Sequence, residues 1–295
     1  MGRQNFLKSA AFFLALTSAV ALAAQETAPA PAPAEQNPPG IPEAVGPVVV
    51  EAPQPMGSEN DVYCFGYVGP PVERFNGMII SGDAAYEQSS FMFQDVVYSD
   101  NDGSLRAGDE YWLVSPMDEV VDITNGQSMG RFYQYLGRAK ALCVKDKSAI
   151  LEIVFACTDV PIGSFVKPFD PIPVPLARRT KMLDNCDEPS GRRVGAIIYS
   201  RDSVEGLFTG ADVIINLGAD AGLNPGDFLT IFRFAVPREF DIAANGELRP
   251  YRANLEPPRT VLGEAAVLTV GDHTSTVQIV SGSHAMQLGD SVEIK

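Results

Sequence analysis

The chain is short of the residues that usually carry metal and acid–base chemistry. It has only two histidines, His273 and His284, and none of its four cysteines sits in a C-x-x-C pair. The ligand spacing of a structural zinc site is therefore missing. The histidines fall in separate turns with no third ligand close by, which reads as two surface side chains. Amphipathic helical spacing is almost absent between residues 61 and 157, which argues against a helical core. Positive charge is also scarce, with 22 Lys and Arg against 37 Asp and Glu and a formal net charge of -15. A polyanion of this kind is repelled by nucleic acid phosphates and by anionic headgroups, so nucleic acid is not an expected partner. The uncharged stretch Ser9 to Ala23 is shorter than the roughly 20 residues needed to cross a bilayer, so no transmembrane helix is expected in the mature chain.

That stretch follows Arg3 and Lys8 and ends in Ala21-Leu22-Ala23, the layout of a secretory signal cleaved after Ala23 or Ala24. Its loss makes the mature chain two charges more negative. The first cysteine beyond it, Cys64, is far from the cleavage point, which speaks against a lipid-modified N-terminus. Residues 1–23 are thus expected to be a signal peptide. Residues 24–60, with Ala28-Pro29-Ala30-Pro31-Ala32-Pro33 and several later prolines, are expected to form a semi-rigid, disordered tether.

From Asp61 onward, short apolar runs recur between turn signals: Met78 to Ile80, Val96 to Tyr98, Tyr111 to Val114, Tyr133 to Cys143 and Ala149 to Cys157. Many short strands with Gly-rich turns predict an all-β barrel or sandwich. Residues 170–192 interrupt this pattern with prolines and the basic cluster Arg178-Arg179-Thr180-Lys181, and read as a connector. Strands then resume at Val194 to Tyr199, Asp212 to Leu217, Phe228 to Phe234, Gly263 to Val270, Thr274 to Val280 and Ser291 to Ile294, with a hairpin turn at Gly271-Asp272-His273.

The two halves repeat. Asp212 to Asp227 is an apolar strand and a reversal through Gly222 and Asn224-Pro225-Gly226-Asp227, and a fainter copy runs from Asp95 to Gly108-Asp109. Gly137 and Gly163 are 26 residues apart, as are Gly263 and Gly289. The second half carries eight more residues between its Gly-Asp turn and the following glycine, around Asp241 to Leu248, where a loop insertion costs little. The expected architecture is two tandem small β-barrel-like modules, 61–169 and 193–295, fastened by turns at Gly108, Asp109, Gly226 and Asp227.

Cys64, Cys143, Cys157 and Cys186 lie in a chain expected to be exported, where disulfides form. Two bridges are the default, with three connectivities open. A tight turn at Asp146-Lys147 would set Cys143 opposite about residue 150 and Cys157 opposite about residue 136. That is too far apart for a direct bond, so each is expected to pair with Cys64 or Cys186.

G-Y-V at Gly66, S-G-D at Ser81, D-V-V-Y at Asp95, A-G-D-E-Y at Ala107, Y-L-G-R-A at Tyr135 and I-G-S-F-V at Ile162 resemble the region that follows the LysM module in bacterial envelope proteins. The second half, with G-L-N-P-G-D-F at Gly222, L-G-E-A at Leu262 and L-G-D-S-V at Leu288, is similar to that region and to the C-terminal domain of flagellar assembly protein T. The resemblance implies small β-barrel-like modules without catalysis in a bacterial periplasmic or outer-envelope protein. This chain has no LysM module, so peptidoglycan binding does not carry over with it.

Candidate chemistry is sparse. Gly126-Gln127-Ser128-Met129-Gly130 matches G-x-S-x-G, but a nucleophile elbow needs a strand-to-helix turn, and here a loop precedes the serine and no helical pattern follows. Asp100, Asp102 and Asp109 bracket a turn and read as caps on backbone amides rather than calcium ligands. Trp112, Phe132, Tyr133 and Tyr135 concentrate aromatic surface that serves either a core or a contact with a partner or glycan. Phe91-Met92-Phe93 poses the same choice. No catalytic, cofactor or metal residue is expected. The leading expectation is a non-enzymatic protein of the bacterial periplasm or the periplasmic face of the outer membrane that acts through envelope protein partners. A peptidoglycan or glycan binder is the alternative, and a serine hydrolase a remote one.

Overall fold

The computed structural model describes residues 52–83, 88–177, 184–201, 205–234, 240–242, 246, 248–250 and 258–295. The expected signal peptide, most of the tether and the basic cluster 178–181 lie outside the described residues.

The described chain is almost entirely β and forms two closed six-stranded antiparallel barrels. The strands of the first are β1 (Gly77–Gly82), β2 (Val96–Asp100), β3 (Glu110–Val121), β4 (Ser128–Val144), β5 (Ser148–Ala156) and β6 (Phe165–Pro168). Those of the second are β7 (Val194–Ser200), β8 (Asp212–Ile215), β9 (Phe228–Phe234), β10 (Arg259–Val270), β11 (Ser275–Gly282) and β12 (Ser291–Ile294). Around both barrels the order is first, second, fifth, fourth, third, sixth, and back to the first. Closure pairs each of these twelve strands on both sides, and a further short strand, Gly66–Gly69, is added to β4 of the first barrel.

The repeat extends to the register. The bulge between Ile79 and Ser81 on β1 recurs between Ile197 and Tyr199 on β7. The shift between Leu113 and Val114 recurs between Ile231 and Phe232, and that between Ala141 and Cys143 recurs between Val267 and Thr269. Bulges re-aim the strand, so keeping them in place keeps the barrel shape. The two glycines singled out by spacing sit at one equivalent point. A Cβ on Gly137 would stand 2.3 Å from the Phe155 carbonyl oxygen, and one on Gly263 would stand 2.1 Å from that of Ser281.

The Gly-Asp turns also match. Gly108 and Gly226 have φ of 91° and 92°, a left-handed backbone that glycine adopts without strain. Gly108 N–H donates to the Ala141 carbonyl at 2.7 Å, and Gly226 N–H to that of Val267 at 2.8 Å. Ala141 and Val267 then donate back to the carbonyls of Asp109 and Asp227, each at 2.9 Å.

Strand alternation fills each barrel. Ile79, Val97, Leu113, Leu151, Ile153 and Val166 point into the first, while Ile197, Val213, Ile215, Leu229, Ile231, Val277 and Val292 point into the second. Where the second half is longer, Phe240–Ile242 pairs with Leu248–Pro250.

Two expectations need correction. The tether assigned to residues 24–60 is structured at its end: Gln54–Pro55 pairs with Leu176–Ala177, Met56 is buried against Phe228 and Ala266, and a helix, α1 (Glu59–Tyr63), is capped by Ser58. Apolar Met56 gains more from burial on the second barrel than a free chain end would. The second correction concerns the cysteines. Cys64 bonds Cys157 with Cα atoms 5.3 Å apart, but Cys143 and Cys186 are free and exposed, so one bridge forms among the four cysteines where two were expected.

Candidate functional site

The two barrels meet through a cluster of apolar side chains contributed by both. Strand alternation places Ile198 and Ile214 on the outside of the second barrel, yet both are buried, in a cluster with Phe65, Val120 and Phe132 of the first. The Phe132 ring lies 4.7 Å from that of Tyr199 and 5.2 Å from that of Phe65. Fully burying an aliphatic side chain contributes about 1.5–3 kcal/mol, so Ile198 and Ile214 alone provide substantial adhesion.

The ridge they rest on is held by backbone geometry and by the disulfide. Gly66, next to Phe65, has φ of 135°, and a Cβ there would lie 2.2 Å from the Tyr133 carbonyl oxygen. The Cys64–Cys157 bridge ties the preceding residue to the end of β5.

Polar contacts rim the apolar patch. Arg201 Nη1 donates to the Cys64 carbonyl at 2.9 Å. Asn216 Nδ2 donates to Asp122 Oδ2 at 2.7 Å, while its Oδ1 accepts from the Ala196 amide at 2.6 Å. Asp122 is buried and also accepts from the Thr124 amide and hydroxyl and from Asn125 Nδ2. Burial opposes ionisation of this carboxyl, but the hydrogen bonds from Thr124, Asn216 and Asn125 outweigh it and hold its pKa below the ordinary aspartate range.

Beside this latch lies a cleft of about 450 Å3 lined by residues of both barrels, among them Ser128, Arg193, Asp220 and His273. His273 Nδ1 is 3.4 Å from Asp220 Oδ2, and Arg193 Nη1 is 3.3 Å from the same oxygen. Desolvation opposes ionisation of Asp220, but His273 and Arg193 together outweigh it, so its pKa is lowered as well. Ser128 opens β4 in the β3–β4 hairpin and its hydroxyl donates to Glu119. No helix follows it, so the G-x-S-x-G match lacks the strand-to-helix turn of a nucleophile elbow.

Trp112, Phe132, Tyr133 and Tyr135 are all buried. Trp112 stacks on Tyr135 at 4.3 Å, Tyr67 on Tyr133 at 5.4 Å, and Tyr63 and Phe169 close over Trp112. Burial pushes the Tyr135 and Tyr67 hydroxyls above their ordinary pKa, with Glu73 adding to the effect. As contact residues for an outside partner or glycan, Trp112, Tyr133 and Tyr135 are corrected to core. The segments around Tyr63 and Phe169 roof the outer faces of β3 and β4. Phe132 is a contact residue, but what it touches is the second barrel of its own chain.

Elsewhere Asp100 Oδ1 accepts from the Met78 amide of β1 at 2.5 Å and Asp102 Oδ1 from the Ser104 amide of its own turn at 2.9 Å, so both carboxylates cap backbone amides. Among the described residues no group of three or more His, Cys, Asp or Glu side chains is placed to hold a metal ion. Also among them, no helix is long and apolar enough to cross a membrane. Phe91 is core, whereas Met92 and Phe93 are exposed.

Sequence reasoning missed the junction. Its trace is nonetheless present: Ile197-Ile198-Tyr199 and Val213-Ile214-Ile215 are apolar at consecutive positions, the mark of strands covered on both faces. Compared with protein-family models and with curated proteins, the chain matches none.

Proposed function

We propose that this chain is an exported, non-catalytic protein of the bacterial cell envelope, a double-barrel adaptor that works by binding other proteins in a periplasmic or outer-membrane assembly. The observation that carries this reading is the junction. Two barrels of one topology are fastened by Ile198 and Ile214 on the Phe65–Phe132 ridge and by the Asp122–Asn216 hydrogen bond, a way to hold binding surfaces at a set spacing. The disulfide supports export, because such bonds persist in oxidising compartments. The resemblance to the region after LysM and to the C-terminal domain of flagellar assembly protein T points the same way. The glycan reading gains no support from rings buried on the outer face of the first barrel beneath Tyr63 and Phe169.

The test is fractionation of cells carrying the tagged full-length chain, followed by chemical cross-linking of intact envelopes. The reading expects the protein in the envelope fraction and the same cross-linked partner in repeated trials. Residence in the cytoplasm, or repeated trials that return no partner, would overturn it.

A further inference from the structure

A barrel of this type closes without the Cys64–Cys157 bridge. Gly137 pairs with Ala156 as Gly263 pairs with Gly282, so Ser283 in the second barrel holds the position of Cys157 in the first. The backbone bonds agree: the Cys157 amide donates to the Leu136 carbonyl at 2.9 Å, and the Ser283 amide to the Leu262 carbonyl at 2.8 Å. With a serine at that position the second barrel is still closed. Nor does Cys64 or Cys157 belong to the core cluster of the first barrel.

What the bridge holds is the junction. Cys64 and the two residues after it each touch the second barrel. The Cys64 carbonyl accepts from Arg201 Nη1 at 2.9 Å. The Phe65 ring packs with Ile198 and Ile214, and the Arg201 guanidinium lies 5.5 Å from its centre. The Gly66 carbonyl accepts from Thr276 Oγ1 at 3.5 Å. Apart from the bridge, the backbone of this segment is fixed by short elements, the five residues of α1 before it and the strand Gly66–Gly69 laddered to β4. Elements that short open at a small free-energy cost when nothing covalent anchors them.

Both cysteines are half-buried rather than sealed in a core, so a thiolate can reach the bridge. We propose, resting on the reading that the junction sets the spacing of the binding surfaces, that the Cys64–Cys157 disulfide is a redox lock on that junction, opened by a dithiol reductant. One thiolate of the dithiol attacks a bridge sulfur; the Cys64–Cys157 bond breaks and a mixed disulfide forms. The reductant's other thiolate then displaces the protein sulfur. The reductant leaves as a disulfide, and Cys64 and Cys157 take up its two electrons and two protons as thiols. The Phe65 ridge then parts from Ile198 and Ile214, and the barrels reorient while each keeps its strands.

The two free cysteines supply the measurement. Cys143 lies on β4 of the first barrel. Cys186 sits between Asn185, whose Oδ1 accepts from the Val261 amide at 2.6 Å, and Asp187, whose carbonyl accepts from Arg259 Nη2 at 2.9 Å, so it is held on β10 of the second. Maleimide spin labels are attached to both in the oxidised full-length chain, as thioethers that survive reduction. Pulsed electron resonance then gives the distribution of distances between them before and after dithiothreitol. Alkylation mass shifts report whether Cys64 and Cys157 have become thiols, and far-ultraviolet circular dichroism follows the strands.

The proposal expects both thiols to appear without denaturant, the distance distribution to broaden, and the strand signal to stay unchanged. Reforming the bridge with glutathione disulfide restores the narrow distribution. The paired Cys64→Ser and Cys157→Ser variant shows the broad distribution with or without reductant. A distribution unmoved by reduction, or by that variant, would overturn the lock. So would a bridge that dithiothreitol leaves intact in the folded chain, or a strand signal that collapses on reduction, since the bond would then hold the barrel itself. These outcomes concern the junction alone, and the envelope cross-linking trial decides the adaptor reading separately.

Discussion

Asn216 at the end of β8 donates a 2.7 Å hydrogen bond to the buried carboxylate of Asp122, at the tip of the first barrel's longest hairpin, and so ties together residues that lie 94 positions apart. Its other amide atom accepts from Ala196 in β7, so one side chain both closes a strand pair and latches the barrels.

A hydrogen bond to a charged group contributes about 1.5–3 kcal/mol. A double-mutant cycle of Asp122→Ala and Asn216→Ala in urea denaturation should therefore return a coupling energy of about that size. A coupling indistinguishable from zero would mean that the latch does not hold in solution.

The same carboxylate makes the junction sensitive to acid. Its folded pKa lies below the unfolded value, so its stabilising contribution is complete above the ordinary aspartate range and is lost as pH falls through the lowered folded value. Wild-type melting temperature should thus fall more steeply below about pH 4 than that of Asp122→Asn. Parallel curves for the two proteins would contradict this.

Thiol counting checks the covalent framework. The native protein should expose two reactive thiols, Cys143 and Cys186, with the Cys64–Cys157 bond closing a loop with a sequence separation of 93. On loop entropy, removing that bond by the paired Cys64→Ser and Cys157→Ser changes costs about 2–5 kcal/mol. Peptide mapping under non-reducing conditions that finds Cys143 linked to Cys186 would refute the thiol count.

The equivalent glycines should respond alike. Gly137→Ala and Gly263→Ala each drive a methyl into a backbone carbonyl of the neighbouring strand, which cannot swing aside as a side chain would. Each is expected to destabilise by about 1–3 kcal/mol or more, measured by thermal or urea unfolding. Gly103→Ala is a useful contrast, since the space around it is open and only its positive φ of 98° opposes the added methyl.

Much of this fold could be read from local chemistry. The Gly-Asp reversals at 108–109 and 226–227 need only a positive φ and a short carboxylate side chain nearby, and the strands around them need only alternation. The register prediction for the cysteines also held, since Cys143 pairs with Ile150 and the Cys157 amide donates to the Leu136 carbonyl at 2.9 Å. What alternation leaves open is the fate of an outward apolar residue. Ile80 and Ile198 occupy the same place on the same strand, one exposed and the other buried, because only one of them has a ridge laid against it. Trp112 and Tyr135 make the same point in reverse, being outward on their barrel and yet roofed by Tyr63 and Phe169.

The amino-acid order by itself determined the strands, the turns and the duplication, because those depend on period, glycine and proline within a few residues of each other. Only the tertiary structure decided which faces are covered, which cysteines meet and which polar groups latch the barrels. Those outcomes depend on what packs against each residue from distant parts of the chain; consecutive apolar residues hint at cover over Ile198, but Met78-Ile79-Ile80 is as apolar and Ile80 is exposed.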